Sequence, residues 1–218
     1  MYKINDSLNE IQAKEKKSRR NFYAVVLVLL FLTVLIIHLN FFVFINIEVS
    51  GESMESTLQS GDNLIAVRGA TVHRGDIIII DKNSHNVDSS DNYYYIIKRA
   101  IGIGGDIVQI RTDGYVYLNG EKLNESYLDE GQRTYVYEAS FPVNRTYVLA
   151  EDEIFYLGDN RVNSSDARVN GPCKKSDVIG VVMNWTVKHR KSLTKVLNFF
   201  KSIPDWFSGA FGCGGNKS

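Results

Sequence analysis

One long hydrophobic stretch near the N-terminus is the strongest pattern in the chain. Residues 21–47 contain no Asp, Glu, Lys or Arg, and most of them are Val, Leu, Ile or Phe. A helix of that length would extend about 40 Å, more than the roughly 30 Å hydrocarbon core of a bilayer. The pattern therefore predicts a transmembrane helix, with residues 22–37 as the part embedded in hydrocarbon.

Charged residues on the two sides of this stretch predict its orientation. Lys and Arg dominate residues 14–20, whereas the opposite flank begins with Glu48. By the positive-inside rule, the N-terminus is expected in the cytoplasm and the residues after Ile47 outside it. A cleavable secretory signal is the alternative, but its apolar core is usually about 7–15 residues long and is followed by a small-residue cleavage site. We therefore expect an uncleaved, single-pass anchor in the cell membrane.

Shorter apolar runs follow Glu48 and predict β-strands. Eight of them are rich in β-branched and aromatic residues and are separated by Gly, Asp and Asn turn signals. They are residues 63–67, 76–81, 93–101, 106–110, 115–118, 146–149, 154–157 and 178–182. No long helical period interrupts them, so we expect an all-β domain built on antiparallel sheet. The more polar residues 82–92 and 123–145 are interpreted as insertions.

The end of the chain has the pattern of a short C-terminal amphipathic helix. Apolar residues recur at helical spacing among lysines, and aromatic residues follow them. They are Leu193, Val196, Leu197 and Phe200, then Trp206, Phe207 and Phe211. Such a helix can lie on an anionic membrane surface or pack on the domain, and the sequence leaves both alternatives open.

Local charge supports a division of the chain into four parts. We expect a cytoplasmic segment at 1–20, the anchor at 21–47, an extracytoplasmic domain at 48–187 and a basic tail at 188–218. The net charge of zero hides six Lys/Arg against three Asp/Glu in the first part and six against one in the last, which leaves the middle at −8. This balance argues against a basic nucleic-acid-binding domain.

The sequence gives little reason to expect a metal, a cofactor or a disulfide. Cys173 and Cys213 are the only cysteines. They could pair outside the cytoplasm, but two cysteines are weak grounds for a disulfide. The four histidines form no ligand-spaced cluster. We expect no metal and no cofactor.

A lysine in an apolar strand is the first candidate for chemistry. Lys98 shares a strand face with Tyr94 and Ile96, while Tyr95 and Ile97 make the other face apolar as well. The pattern predicts a buried amine. Burial disfavours the charged form and can lower a lysine pKa by up to about 3–5 units, which would allow the amine to accept a proton near neutral pH.

Four segments, in their order after the anchor, resemble the sequence boxes of bacterial type I signal peptidases, also called leader peptidases. These are Ser/Lys endopeptidases that remove signal peptides from exported proteins. The segments are Gly51-x-Ser53-Met54-x-x-Thr57-Leu58, Gly75-Asp76-Ile77, Lys98-Arg99-Ala100-Ile101-Gly102 and Gly158-Asp159-Asn160-Arg161-x-Asn163-Ser164-x-Asp166-x-Arg168. Together they extend over most of the outer domain.

The resemblance implies a role for individual residues. Ser53 would be the nucleophile, Lys98 its general base, and Ser164 would hydrogen-bond the lysine amine. The Ser53 backbone N–H would stabilise the oxyanion, and Gly51 stands where some members carry a serine that adds a second donor. The supporting polar scaffold would be Asp159, Asn160, Arg161, Asp166 and Arg168. An extended substrate would add as a strand along a cleft flanked by Met54, Tyr94 and Ile96.

Three positions depart from the family pattern. Ser56 and Gly104 stand where the family usually has proline, and Ala167 replaces a common serine. We expect the two losses of proline to cost about 1 kcal/mol or less each through unfolded-state entropy. None of the three exchanges removes a chemical group used in the reaction.

The expected function is that of a membrane-bound serine endopeptidase that cleaves signal peptides through an acyl-enzyme formed on Ser53. Its partners would be signal-peptide-bearing precursors and membrane lipid, without nucleic acid or metal. One alternative is a dedicated processing peptidase for pilin or other surface subunits. Another, of a different class, is a catalytically silent membrane-anchored β-domain that binds extended peptides. Ser-His-Asp catalysis is disfavoured because none of the four segments contains His.

Overall fold

The computed structural model describes residues 2–81 and 95–201. Several features expected from the sequence lie outside these residues. They are the side chain of Tyr94, the insertion at 82–92, the tail aromatics from Trp206 onward, and Cys213. The chain divides into two compact units, one from Met1 to Phe44 and one from Ile45 to Ser218.

The first unit is a single long helix with an apolar second half. Helix α1 spans Tyr2–His38 and continues into one π-helical turn at Leu39–Val43. The most apolar 18-residue window within its Lys14–His38 portion has a mean hydropathy of 2.4, and none of that window is buried. Among the described residues, it is the one helix long and apolar enough to cross a membrane.

The second unit is built from thirteen strands, two α-helices and a 3₁₀ turn at Lys175–Asp177 among the described residues. The strands are β1 Phe44–Glu48, β2 Asn63–Arg68, β3 Ile77–Asp81, β4 Tyr95–Ile103, β5 Ile107–Ile110, β6 Val116–Leu118, β7 Glu121–Lys122, β8 Val136–Glu138, β9 Phe141–Val143, β10 Arg145–Val148, β11 Glu153–Leu157, β12 Cys173–Lys174 and β13 Val178–Val182. The helices are α2 Ala167–Asn170 and α3 Asn184–Lys201.

These strands form three sheets. The largest has the order β1-β2-β13-β3-β4-β11-β12, a second has the order β10-β5-β6-β7, and β8 pairs with β9 alone. The pairings from β2 onward are antiparallel. The prediction of an antiparallel all-β domain is confirmed, and each of the eight apolar runs contributes a strand.

Two hydrophobic clusters pack on the large sheet because its central strands alternate their side chains between the two faces. On β3, Ile78 and Ile80 enter the cluster shared with the second sheet. Ile77 and Ile79 enter the other cluster, which also holds Met54. A strand that is buried on both faces typically has a continuous run of apolar residues, and β3 shows this pattern.

The end of the apolar N-terminal stretch forms a strand of the sheet. Residues 44–48 are β1, and the partly buried Ile45 and Ile47 pack on the cluster that contains Met54. A continuous apolar run conceals this change from helix to strand, since both environments select the same residue types. The expected four-part division stays a prediction.

Helix α3 packs against the large sheet along one side. The Asn63 backbone N–H donates to Thr194 Oγ1 at 2.9 Å, and Arg190 Nε lies 3.0 Å from Asp62 Oδ2. Thr186 is fully buried at the start of the helix. The described part of the amphipathic helix therefore packs on the domain, and it begins at Asn184, before the expected boundary at 188.

The structure corrects the expected effect of the two missing prolines. Ser56 has a φ of +86°, which a proline ring cannot adopt. A Cβ at Gly104 would collide with the backbone of Glu151. Both residues therefore suit their local backbone, and neither marks a simple loss of rigidity.

Candidate active site

Ser53 and Lys98 are brought together by a turn and a strand. Ser53 lies in the turn that connects β1 to β2, and Lys98 lies in the middle of β4. Lys98 Nζ is 2.6 Å from Ser53 Oγ and 3.2 Å from the Ile97 carbonyl oxygen. The lysine side chain is buried, with 4% of the residue exposed, as its apolar strand pattern predicts.

The Ser53 turn is held by its own apolar residues. The Leu58 N–H donates to the Met54 carbonyl at 2.8 Å, and both side chains lie in the hydrophobic core. The turn is therefore fixed beneath Ser53 by burial as well as by hydrogen bonding. Met54, expected in the substrate cleft, is only 2% exposed and belongs to this core.

The segment after β11 holds the same turn from the other side. The Asn160 N–H donates to the Ser53 carbonyl at 3.0 Å, and Asn160 Nδ2 donates to the Glu52 carbonyl at 3.1 Å. A Cβ at Gly158 would collide with the Ser53 carbonyl oxygen and with Ser164 Oγ. This close approach explains why glycine stands at 158.

Asp159 forms a buried ion pair with the residue next to Lys98. Arg99 Nε and Nη2 donate to the two carboxylate oxygens of Asp159 at 2.8 and 2.6 Å. Arg99 Nη1 also donates to the Gly75 carbonyl, and Thr57 Oγ1 donates to Asp159 Oδ2. The pair therefore connects β4, the Ser53 turn and the segment after β11.

Arg161 is buried in a second network, which contacts the first one at Tyr127. Its Nη2 lies 2.5 Å from Glu125 Oε1, and its Nη1 donates to Thr134 Oγ1. The Tyr127 hydroxyl donates to Glu125 at 2.9 Å, and the Tyr127 ring lies under the Arg99 guanidinium at 4.0 Å. Burial opposes the charge on Arg161, but Glu125 outweighs it and raises the pKa of the guanidinium, while burial and Glu125 raise the pKa of Tyr127.

Asp166 and Arg168 form a third buried pair. Arg168 Nε and Nη2 donate to Asp166 Oδ1 and Oδ2 at 2.8 and 2.9 Å. Asp166 also caps α2 by accepting from the Arg168 N–H, and it accepts from the Gly158 N–H at 3.1 Å. The predicted scaffold residues thus lie together, but Asp159 and Arg161 each take a partner from elsewhere in the chain.

The structure does not form the predicted hydrogen bond between Ser164 and Lys98. Ser164 Oγ is buried and has no hydrogen-bond partner among the described residues.

Gly51 is exposed, with a φ of +89°, and brings no hydroxyl to the site. Ile96 is partly buried against the cluster shared by the two larger sheets.

Sequence reasoning missed several residues that hold the site. Arg99 was part of a recognised segment but had no assigned role, although an arginine next to a buried lysine is a usable signal. Glu125 and Tyr127 lie in the stretch interpreted as an insertion. Ser56 Oγ donates to Asp129 in the same stretch at 2.7 Å. No local pattern indicated these contacts, which join residues far apart in the chain.

The arrangement can support nucleophilic catalysis by a hydroxyl and an amine. A buried neutral amine at hydrogen-bond distance can take the proton of the hydroxyl.

In the described part of the chain, no group of three or more His, Cys, Asp or Glu is placed to hold a metal ion. Cys173 is a buried free thiol away from this site, and burial raises its pKa to about 12.

Comparisons with known proteins match most of the chain. The family model described as signal peptidase, peptidase S26, matches residues 21–186. Signal peptidase I of Bacillus caldolyticus is 34% identical over 178 residues, which cover 78% of this chain and 90% of that protein. Signal peptidase I P of Bacillus subtilis subsp. natto is 29% identical over 176 residues, with coverage of 77% and 90%. A solved signal peptidase I from Enterococcus faecalis is 30% identical, covers 52% of this chain and 98% of that chain, and has a TM-score of 0.41.

Proposed function

The chain belongs to the signal peptidase family, peptidase S26, and from that membership we propose that it is a membrane-anchored serine endopeptidase that removes signal peptides from exported precursor proteins. The observation that carries the proposed mechanism is the 2.6 Å distance between the buried Lys98 Nζ and Ser53 Oγ.

The proposed reaction begins with transfer of the Ser53 proton to Lys98. Burial favours the neutral amine, which has a lone pair for the proton. Ser53 Oγ attacks the scissile carbonyl carbon, the bond to the leaving amine breaks, and the ammonium returns its proton to that amine. The resulting acyl-enzyme is hydrolysed by a water that the same amine deprotonates.

Two further groups are assigned to the transition state by the same proposal. The Ser53 backbone N–H would donate to the developing oxyanion. Ser164 Oγ has no partner among the described residues in this structure; by the same proposal it would accept from the amine and orient it when Lys98 Nζ turns from Ser53 Oγ during the reaction. Asp159, Asn160, Arg161, Asp166 and Arg168 would hold these groups in place without touching the substrate.

The way β4 pairs with its neighbours supports binding of the substrate as an extended peptide. Strand β3 pairs with β4 from Tyr95 to Arg99, whereas β11 pairs with β4 only from Arg99 to Ile103. Among the described residues, the first half of β4 therefore has a strand on one side only. An extended peptide can add its backbone hydrogen bonds along such an edge and reach Ser53 beside Lys98.

The anchor is proposed from the length and composition of α1. Its Lys14–His38 portion is long enough to cross a bilayer, and the basic residues at 14–20, which precede the apolar part, favour a cytoplasmic N-terminus. The catalytic domain would then lie on the outer side, where exported precursors emerge.

The test is cleavage of a signal-peptide-bearing precursor by the full chain in detergent or vesicles. Ser53→Ala and Lys98→Ala are each expected to abolish processing while the domain stays folded by circular dichroism. Ser165→Ala and Lys122→Ala, at exposed positions, serve as controls and should cleave normally. Near-normal turnover by Lys98→Ala would overturn the dyad.

A further inference from the structure

The outer side of α3 combines exposed apolar residues with lysines. Trp185, Val196 and Phe199 are 48%, 52% and 65% exposed. At 3.6 residues per turn, they lie along one stripe of the helix. Trp185, at the start of the stripe, also lines a cavity with Val67 of β2. We call this stripe, together with the adjoining exposed residues Lys188 and Lys195, the outer face of α3.

The charge of α3 is of one sign. Five of its eighteen residues are Lys or Arg, and none is Asp or Glu. Arg190 is paired with Asp62 on the packed side, whereas Lys188, Lys191 and Lys195 are exposed. The chain between residues 21 and 187 carries 13 basic against 21 acidic residues, so the helix is a local cationic surface on an otherwise acidic domain.

From these observations we propose that the outer face of α3 binds an anionic lipid surface. Lysines have long apolar stems that can lie along acyl chains while the ammonium reaches the phosphates. A tryptophan at one end and a phenylalanine near the other supply aromatic groups suited to the headgroup region. The apolar stripe would enter the interface, and the lysines beside it would meet the negative charge.

A lipid surface fits better than an acidic protein partner. The apolar residues form a narrow stripe along the outside of a helix, with lysines beside it. The same chain carries α1, whose composition suits a membrane span, so a bilayer is the surface that the domain is expected to meet. Docking of α3 would be a second attachment, separate from α1 and not required for the chemistry at Ser53.

Trp185 provides a direct probe of this contact. The chain has two tryptophans, and Trp206→Phe leaves Trp185 as the only one. The full chain with this change is reconstituted in vesicles of phosphatidylcholine and in vesicles that also contain phosphatidylglycerol. In the anionic vesicles, Trp185 emission should shift to the blue, be quenched by lipids with brominated acyl chains, and become protected from acrylamide. High salt should weaken all three effects.

Charge reversal separates lipid binding from burial against protein. Replacing Lys188, Lys191 and Lys195 by Glu leaves the packed side of α3 intact. Each lysine near an anionic surface is expected to contribute about a fivefold change in the docking equilibrium, so quenching should fall to the level in phosphatidylcholine. The matched control is Lys122→Glu, at an exposed lysine of β7, which should leave quenching unchanged.

The proposal is overturned if Trp185 stays accessible to acrylamide and is not quenched by brominated lipids in the anionic vesicles. It is also overturned if the triple Lys→Glu variant is quenched as strongly as the parent chain. Neither outcome depends on precursor cleavage, so failure here and failure of the proposed function are distinguishable.

Discussion

Two buried carboxylates near Ser53 each form a bidentate ion pair with an arginine. Arg99 meets Asp159, and Arg168 meets Asp166, each through two nitrogens and two carboxylate oxygens. Removing one partner of a buried pair leaves the other charge uncompensated, which typically costs about 3–5 kcal/mol. Their geometry therefore fixes the segments around Ser53 and Lys98, since a small displacement would break two bonds at once.

Ser56 is a residue at which the usual proline of the family is predicted to be harmful. Its φ is +86°, whereas proline is restricted to about −65°. Ser56→Pro would force the Ser53 turn to change and should lower the free energy of unfolding by more than about 1 kcal/mol. Urea unfolding of the detergent-solubilised chain measures this loss, and precursor cleavage should fall with it.

Ser56→Gly is the matched variant, because glycine adopts positive φ without a steric penalty. It loses the hydrogen bond to Asp129 but keeps the turn, so it should retain cleavage activity. A Ser56→Pro chain as stable and active as the parent would show that the turn does not need its left-handed residue.

The sequence around a residue predicts its burial and its contacts only when the residues that surround it in the fold are also its neighbours in the chain. Lys98 was identifiable because its strand neighbours are apolar, and its burial follows from them. The pairing of Arg161 with Glu125 joins residues 36 positions apart, and nothing near either residue indicates the other. The need for glycine at 104 likewise depends on the distant backbone of Glu151.

Strands are the elements that the sequence predicts best, because β-branched runs between turn residues rarely adopt another secondary structure. The short β7 and β12 have two residues each and offer no period to recognise. The change from α1 to β1 lies inside one apolar stretch, and hydrophobicity alone cannot divide it. The sheet order requires contacts between distant strands, such as β13 inserted between β2 and β3.

The hairpin of β8 and β9 contains a turn with unfavourable residues. Ala139 and Ser140 form its two-residue loop, with φ values of +47° and +72°. Such turns favour Asn-Gly, since most side chains are strained at positive φ. Replacing Ala139 by Asn and Ser140 by Gly should raise the free energy of unfolding by about 1 kcal/mol, measured by urea unfolding.

Ala139→Val provides the opposite change at the same position. A β-branched side chain is strained further at positive φ, so this variant should unfold at lower urea than the parent. If the Asn-Gly chain were less stable than the parent, the assigned turn geometry would be wrong.

At the scale of the whole domain, Asp106 joins the two larger sheets. It is 3% exposed and lies in the turn between β4 and β5. Its carboxylate accepts from Arg74 in the β2–β3 loop, from the Ile103 N–H at the end of β4, and from Asn119 beyond β6. One buried carboxylate therefore holds three connections that meet between the sheets.

These contacts predict how stability depends on pH. Burial opposes ionisation of Asp106, but the hydrogen bonds from Arg74, Ile103 and Asn119 outweigh it and hold the pKa of the carboxyl below its ordinary value. Because the folded-state pKa is the lower one, the stabilisation is complete above the unfolded-state value of about 3.9. It is lost as the pH falls below that value toward the folded-state pKa.

Asp106→Asn should therefore lower stability at neutral pH and flatten its decline in acid. The urea midpoint of the detergent-solubilised chain, measured from neutral pH to below pH 4, checks both effects. Glu130→Gln, at an exposed position, should leave the profile unchanged. An Asp106→Asn chain that loses stability in acid as steeply as the parent would mean that another carboxylate controls acid unfolding. The connection between the sheets would then depend on packing rather than on this charge.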